Sequence, residues 1–364
     1  MKFTKRRALF AGLGIFLAFI AIEGESYGFA RLSIANGNSY WFYKPDIFDI
    51  SDGQLASENS AGVLGWPRTD VPRAQSPERS PTCGAAFGDS MTRGDEVQDN
   101  EAWVHLLSER LGCNVSNFGV GGHGLDQTTL RYEQINPPGH FVLLGLFIEM
   151  LRRDLAASWT FYQGPGSDNL PHYSMTKPMF VMAGDGIRLI SRPSAPVTRE
   201  AIEQHHEHDF FSNTLWTPLS FPYSYSAGRA IFRRLYDKVD LINESSNIYW
   251  SESHPSRAGA LAERIIARML DDVRQRKQRM VVVMIPQVEE TLAPQPAYSK
   301  FMQALGRRVP DLCIIDTYPA LTAAASRVGM PALRAPQGHY TAAGSIILAE
   351  TVHQGLQRCG ISGA

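Results

Sequence analysis

The segment AAFGDSMTRG, Ala85 to Gly94, opens on small apolar residues and closes on glycine, with Ser90 directly behind Gly88 and Asp89. With Cys83 and Gly84 before it, it reads as a short buried strand that ends at a turn, leaving a serine at the mouth of the next helix. The alternation continues downstream. NEAWVHLLSERLG (residues 100–112) has helical spacing through Trp103, Leu106, Leu107 and Leu111 and stops at Gly112. CNVSNFG (113–119) is the next strand, and HFVLLGLFI (140–148) is a continuous apolar run, as in a strand covered on both faces. An amphipathic helix (261–279), the apolar run MVVVMIP (280–286), LCIIDTY (312–318) and a final helical segment (341–360) complete the series. Strands separated by helices predict a three-layer α/β/α sandwich around a central parallel sheet, flavodoxin-like in kind. Ligands bind such sheets at the carboxyl ends of the strands, which is the edge that carries Ser90.

The N-terminus has a different character. Lys2, Lys5, Arg6 and Arg7 precede an uncharged apolar run from Ala8 to Ile22, the pattern of a signal peptide or a membrane anchor. Fifteen helical residues reach about 22 Å, short of the roughly 30 Å hydrocarbon core, but Gly24 to Tyr27 can extend the run. No A-x-A cleavage site follows, so residues 1–30 are assigned as an uncleaved signal-anchor. The positive-inside rule then places the rest of the chain outside the cytoplasm. Residues 31–80, rich in Gly, Pro, Ser and Asp, form an extended lead-in. Residues 81–364 form one domain, with an insertion at about 156–250 in which KPMFVMAGDGIRLI suggests a hairpin around Gly184-Asp185-Gly186.

The chain has 364 residues, 44% hydrophobic and 20% charged, with a net charge of −1, so no basic surface points to nucleic acid. Its four cysteines are too few and too scattered to predict a disulfide framework or a paired zinc site; three sit in or beside apolar runs, where cysteine acts as a small buried hydrophobe, and no disulfide is assigned. No metal or cofactor is expected.

A serine hydroxyl becomes nucleophilic only when a base takes its proton and donors await the oxyanion. Ser90 would supply the hydroxyl and one backbone N–H. A second donor is expected from NFGVGGHG (117–124), with Gly122 the choice, because glycines let backbone approach a ligand closely. The base is expected to be His339, in APQGHYTAAG just before the last helix. The alternative is that Ser90 merely caps a helix.

GDS after the first strand, N-x-G-x-x-G after the second and GH before the last helix resemble the SGNH (GDSL-type) hydrolase superfamily, over about residues 81 to 364. The resemblance implies an α/β/α fold and acyl removal or transfer on esters, lipids and carbohydrates. It implies Ser90 as nucleophile, Gly122 as second oxyanion donor and His339 as base. The chain also resembles a bacterial subgroup anchored in the inner membrane with its domain facing the periplasm or outside. That likeness implies an O-acetyl group on an envelope or secreted polysaccharide as the substrate, and membrane-bound polysaccharide-modification proteins as partners.

Two departures stand out. Where the subgroup has E-N-I-x-R, with an asparagine amide as third oxyanion donor, this chain reads EMLRR, so Met150 takes the asparagine's place. A thioether has no N–H, and losing one such donor costs about 100- to 1,000-fold in turnover. Where an aspartate two or three residues before the histidine would orient the imidazole, Pro336 and Gln337 stand instead. Three outcomes remain open: a weak Ser90–His339 dyad with Gln337 or a carbonyl on the imidazole, a rescue by Glu149 or Asp154, and a non-catalytic binding or assembly component of a polysaccharide machine. A lipid-directed esterase at the membrane surface is a further reading.

Other residues carry weaker signals. His205 with His208 or Asp209 would share a helix face suited to a metal, but a solvated charged helix explains the same letters. His254 reads as a surface or capping residue, and His123 as an exposed turn residue. Arg152 and Arg153 read as surface salt-bridge formers, and Trp41, Phe42 and Tyr43 as interfacial or packing aromatics.

Overall fold

The computed structural model describes residues 5–35, 42–43, 55, 58–59, 61–65, 73, 81–158, 176–210, 217–236, 249–251, 254–288, 295–296 and 298–361. Helix α1 (Lys5–Ala35) is followed by the two-residue strand β1 (Phe42–Tyr43). Then come β2 (Thr82–Phe87), α2 (Ser90–Arg93), α3 (Trp103–Leu111), β3 (Asn114–Asn117), α4 (Leu125–Ile135), β4 (Phe141–Leu146) and α5 (Ile148–Asp154). The middle of the chain contributes β5 (Met179–Ala183), β6 (Gly186–Ile190), α6 (Arg199–His206), β7 (Thr217–Pro218) and α7 (Tyr223–Tyr236). The last part holds α8 (Ala258–Gln275), β8 (Arg279–Met284), α9 (Ser299–Arg308), β9 (Cys313–Asp316), α10 (Tyr318–Val328) and α11 (Ala342–Arg358).

The five expected strands form one parallel sheet in the order β3-β2-β4-β8-β9. Helix α11 packs with α3 and α10, and α8 packs with α4 and α5, so helices cover both faces and the fold is the three-layer α/β/α sandwich. Burial explains the strand composition: β4 is buried at all six positions and β8 at five. Gly84 in β2 is small by necessity, since a Cβ there would stand within 2.8 Å of the Phe141 ring on β4. Strand order reverses between β2 and β4, the crevice where open α/β sheets bind ligands, and the chain leaves β2 there into Gly88-Asp89-Ser90.

The cysteines are not inert core residues. Cys83 is bonded to Cys113 and Cys313 to Cys359, with Cα–Cα separations of 5.8 and 6.0 Å. The first bond joins β2 to the start of the edge strand β3, and the second ties the other edge strand, β9, to the end of α11. Sequence spacing concealed both because partners 30 and 46 residues apart meet only through the strand order.

The expected hairpin is present as the antiparallel pair β5–β6, turning at 184–185. Described parts of the lead-in grip the domain. The Glu58 carboxylate accepts bonds from Thr176 N at 2.6 Å and Thr176 Oγ1 at 2.8 Å and pairs with Arg192, while Leu64 O accepts from Gln127 Nε2 at 2.8 Å. Within α1, Leu9–Ser33 spans 25 residues at mean hydropathy 1.6, long and apolar enough to cross a membrane. The helix continues through Glu23, past the end of the apolar run, because α7 packs against it. Glu23 accepts bonds from the backbone and hydroxyl of Ser224, Phe19 meets Phe221 and Tyr27 meets Tyr223. Phe42 and Tyr43 pair with β7; Trp41 lies outside the described residues.

Candidate active site

Ser90 is the first residue of the single turn α2 and is 7% exposed. The turn is held on all sides. Asp89 caps it, its Oδ1 accepting from Met91 N at 3.0 Å, while Arg153 Nη1 donates to Asp89 Oδ2 at 2.8 Å and to His123 O at 3.0 Å. Burial raises the Asp89 carboxyl above its ordinary value, and the Arg153 charge works against that rise. Gly88 is required: a Cβ there would lie 2.7 Å from Gly145 O and overlap Thr92. Arg153 is therefore a buried structural cation and not a surface pair.

The loop after β3 lies against this turn. Asn117 donates through Nδ2 to Thr92 O at 3.2 Å and Arg93 O at 3.1 Å, and its Oδ1 accepts from Gly119 N at 3.0 Å. A Cβ on Gly121 would stand in ordinary contact with Ser90 Cβ at 3.6 Å and would crowd Asp95 Oδ2 at 2.8 Å, so this glycine passes close to both side chains. Gly122 follows with φ +81°, a left-handed conformation that glycine adopts without strain. His123, expected in solvent, is 1% exposed. Burial first, then the charges of Arg131, Arg153 and Lys177, hold it well below the ordinary imidazole value and therefore neutral.

His339 sits in a tight turn before α11, closed by Gly338 N to Ala335 O at 3.0 Å and Ala335 N to His339 O at 2.8 Å. Tyr340 Oη donates to Pro286 O at 2.9 Å, which fastens the turn to the carboxyl end of β8. Both predicted residues thus lie on the carboxyl-end edge of the sheet, Ser90 behind β2 and His339 in a turn fastened beyond β8.

The imidazole's partner is neither Gln337 nor a carbonyl. His339 Nδ1 lies 2.6 Å from Glu96 Oε2, and Glu96 also accepts from Gln337 N at 2.8 Å and His339 N at 3.2 Å. The Gln337 side chain faces solvent. Burial pushes the Glu96 carboxyl up, but the bonds from Gln337 N–H and from the His339 ring and N–H outweigh it and leave it below the ordinary value. Sequence reasoning missed Glu96. It lies six residues after Ser90 on a loop without a motif, and the acidic pair Asp95-Glu96 beside the nucleophile is the only trace of it.

The block after β4 offers neither expected substitute. Glu149 pairs with Arg152 at 3.6 Å, and Asp154 is buried, accepting from Asp126 N at 3.0 Å. Burial and the neighbouring Asp126 push Asp154 well above the ordinary carboxylate value. Met150 is fully buried inside α5.

The metal reading of 203–209 and the solvated-helix reading both give way. His205, His206 and Asp209 are buried, His205 Nε2 meets Lys177 O at 2.7 Å and Asp209 Oδ2 accepts from Ala157 N at 2.5 Å. No cluster of three metal-ligating side chains occurs among the described residues. His254 is buried as well, and its Nδ1 meets Ser256 Oγ at 2.6 Å in the turn that starts α8.

No protein-family model and no curated protein sequence matches the chain. It is similar to solved structures of lipolytic proteins and esterases. One is a member of the lipolytic G-D-S-L family from Veillonella parvula, at 11% identity over 76% of this chain and 99% of that one, with a TM-score of 0.39. TesA matches at 12% identity over 76% and 99%, with a TM-score of 0.41. An acetylxylan esterase from Geobacillus stearothermophilus matches at 13% identity over 78% and 97%, with a TM-score of 0.41.

Proposed function

We propose that this chain is a serine ester hydrolase of the SGNH kind, with Ser90 as nucleophile, His339 as base, and the N–H groups of Ser90 and Gly122 as oxyanion donors. The observation that carries the reading is the meeting of two loops far apart in sequence. The loop behind Ser90 reaches the His339 turn, while Gly121 passes near enough to Ser90 that a Cβ added to it would touch Ser90 Cβ at 3.6 Å. A helix-capping serine needs neither.

In the reaction, Ser90 Oγ bonds to the acyl carbonyl carbon as His339 Nε2 takes its proton. The carbonyl electrons move to the oxygen, where the backbone donors hold the charge. Collapse breaks the bond to the alcohol, which leaves with the proton from Nε2. Water, activated by the same nitrogen, then releases the acid and restores Ser90. A sugar hydroxyl in place of water would make the step an acyl transfer.

The substrate proposed is an O-acetyl group on an envelope or secreted polysaccharide, and the site a domain held outside the bacterial inner membrane by α1. Lys5, Arg6 and Arg7 at the start of α1, with Lys2 ahead of them in sequence, support that orientation. Two disulfides support it too, since such bonds persist in oxidising compartments. Membrane-bound polysaccharide-modification proteins are the partners this reading implies. The buried Met150, which brings no amide to the oxyanion, favours the second reading, a binding component with little turnover.

A fluorophosphonate probe on the full chain in detergent micelles tests the proposal. Covalent labelling that disappears in both Ser90→Ala and His339→Ala is expected, followed by acetate release from an acetylated polysaccharide. A folded wild type that stays unlabelled would leave the binding-component reading in its place.

A further inference from the structure

We propose that Glu96, on the loop that follows the nucleophile, is the positioning carboxylate of His339, and that Arg73 of the lead-in sets that loop in place. The proposal rests on Ser90 and His339 acting as described above. It concerns how the imidazole is held when the acid expected two or three residues before it is missing.

A carboxylate only accepts hydrogen bonds. At 2.6 Å from an ionised Glu96, His339 Nδ1 must carry the hydrogen, so the neutral ring leaves its lone pair on Nε2, the nitrogen a general base requires. When Nε2 takes the serine proton, the imidazolium forms beside a fixed negative charge. The proton remains on the ring, and Glu96 stays ionised throughout.

The loop is built around this contact. Glu96 is a non-glycine residue at φ +68°, a conformation that costs of order 1 kcal/mol or more and persists only where surroundings impose it. What imposes it is Arg73. Its Nε donates to Asp99 Oδ1 at 2.7 Å, its Nη1 to Arg93 O at 2.7 Å and to Gly94 O, and its Nη2 to Val97 O at 2.5 Å. One guanidinium thus gathers the carbonyls on both sides of Glu96. The Glu96 carboxylate then takes three bonds from 337–339, so both ends of the bridge are fixed. Among the described residues, further charges on the two turns include Asp89, paired with Arg153, Asp95, paired with Arg93 at 3.4 Å, and Arg334.

The experiment uses the full chain in micelles with Glu96→Gln, Glu96→Ala and Glu96→Asp, read by p-nitrophenyl acetate turnover, fluorophosphonate labelling rate and thermal unfolding. An amide in place of a triad carboxylate costs about 10⁴-fold in another hydrolase class. We expect Glu96→Gln to lower kcat by about 10³- to 10⁴-fold with KM changed less than about threefold, and Glu96→Asp to recover part of the loss. Arg73→Ala should slow labelling by up to roughly 10²-fold with Ser90 and His339 intact. Turnover in folded Glu96→Gln within threefold of wild type would overturn the proposal.

Selective ¹⁵N labelling of histidine gives a second readout that needs no activity. The wild-type ring should be in the Nδ1–H tautomer with a downfield Nδ1 proton that is absent in Glu96→Ala. A wild-type Nε2–H tautomer, or a proton unchanged in Glu96→Ala, would also overturn the proposal. If the wild type is inert yet shows the Glu96-dependent proton, the nucleophile assignment fails and the positioning contact stands.

Discussion

Asp89 and Arg153 show how much of the Ser90 turn depends on single atoms. Asp89 is fully buried and its charge is answered by one guanidinium. Removing one partner of a buried pair costs about 3–5 kcal/mol, because the survivor keeps its desolvation penalty. We expect Arg153→Met to lose about that much in urea unfolding at pH 7. Since burial already raises the Asp89 value, protonation relieves the orphaned acid readily, and the deficit should be smaller at pH 4. Glu96 has the opposite sign. Its folded value lies below the ordinary 4.5, so its contribution is present above pH 4.5 and is lost as the pH falls through the folded value. The melting-temperature gap between wild type and Glu96→Gln should therefore be present above pH 4.5 and close as the pH falls below it. At this scale, motif letters singled out Ser90, Gly122 and His339 as candidates, because the proposed nucleophile, turn and base stand at fixed places relative to strand ends. Glu96 was not legible, since nothing local marks a carboxylate whose partner lies 243 residues away.

Among elements, helix α6 carries the clearest pH dependence. Burial lowers His205 to about 4 and His206 to about 3, helped at His206 by the neighbouring His205. An unfolded histidine takes its proton near pH 6.5. Both residues therefore contribute stability above pH 6.5 that drains away as the pH falls toward their folded values. We expect thermal unfolding to fall between pH 6.5 and 4, and His205→Gln, which keeps a donor for Lys177 O without titrating, to flatten that fall. The elements differ in how plainly the sequence announces them. Each of the five sheet strands is an apolar or small-residue run bounded by Gly, Asp or Pro, and all five stand where expected. The β5–β6 hairpin was equally plain from its alternation around Gly184 and Gly186. Helix α6 was misjudged because charged letters suggest solvent, while its partners, Lys177 and the buried segment around Ala157, come from elsewhere in the fold. The cysteine pairings were not legible either, because their partners also come from elsewhere in the fold.

For the whole molecule, the two disulfides are the dominant covalent restraint. In the chain-entropy account, loops of 30 and 46 residues remove about 3.6 to 4 kcal/mol each from the unfolded state's advantage. Calorimetry of Cys83→Ser/Cys113→Ser should show a melting temperature about 5–6 °C lower than wild type. The lead-in also belongs to the whole-molecule scale. Its composition predicts an extended strap, yet Glu58 and Arg73 lock onto the hairpin and the Glu96 loop, so truncation at residue 80 should cost both stability and labelling rate.

The Cys83–Cys113 bond encloses residues 84 to 112, which include both Ser90 and Glu96. A protease that nicks the chain once inside this ring cannot release a fragment. The severed ends stay tied through sulfur, and the two halves separate on a gel only after a reductant is added. The proposed nucleophile and positioning carboxylate are in this sense carried on a closed link of chain, which tolerates a cut in its periphery and yields to a change in redox conditions.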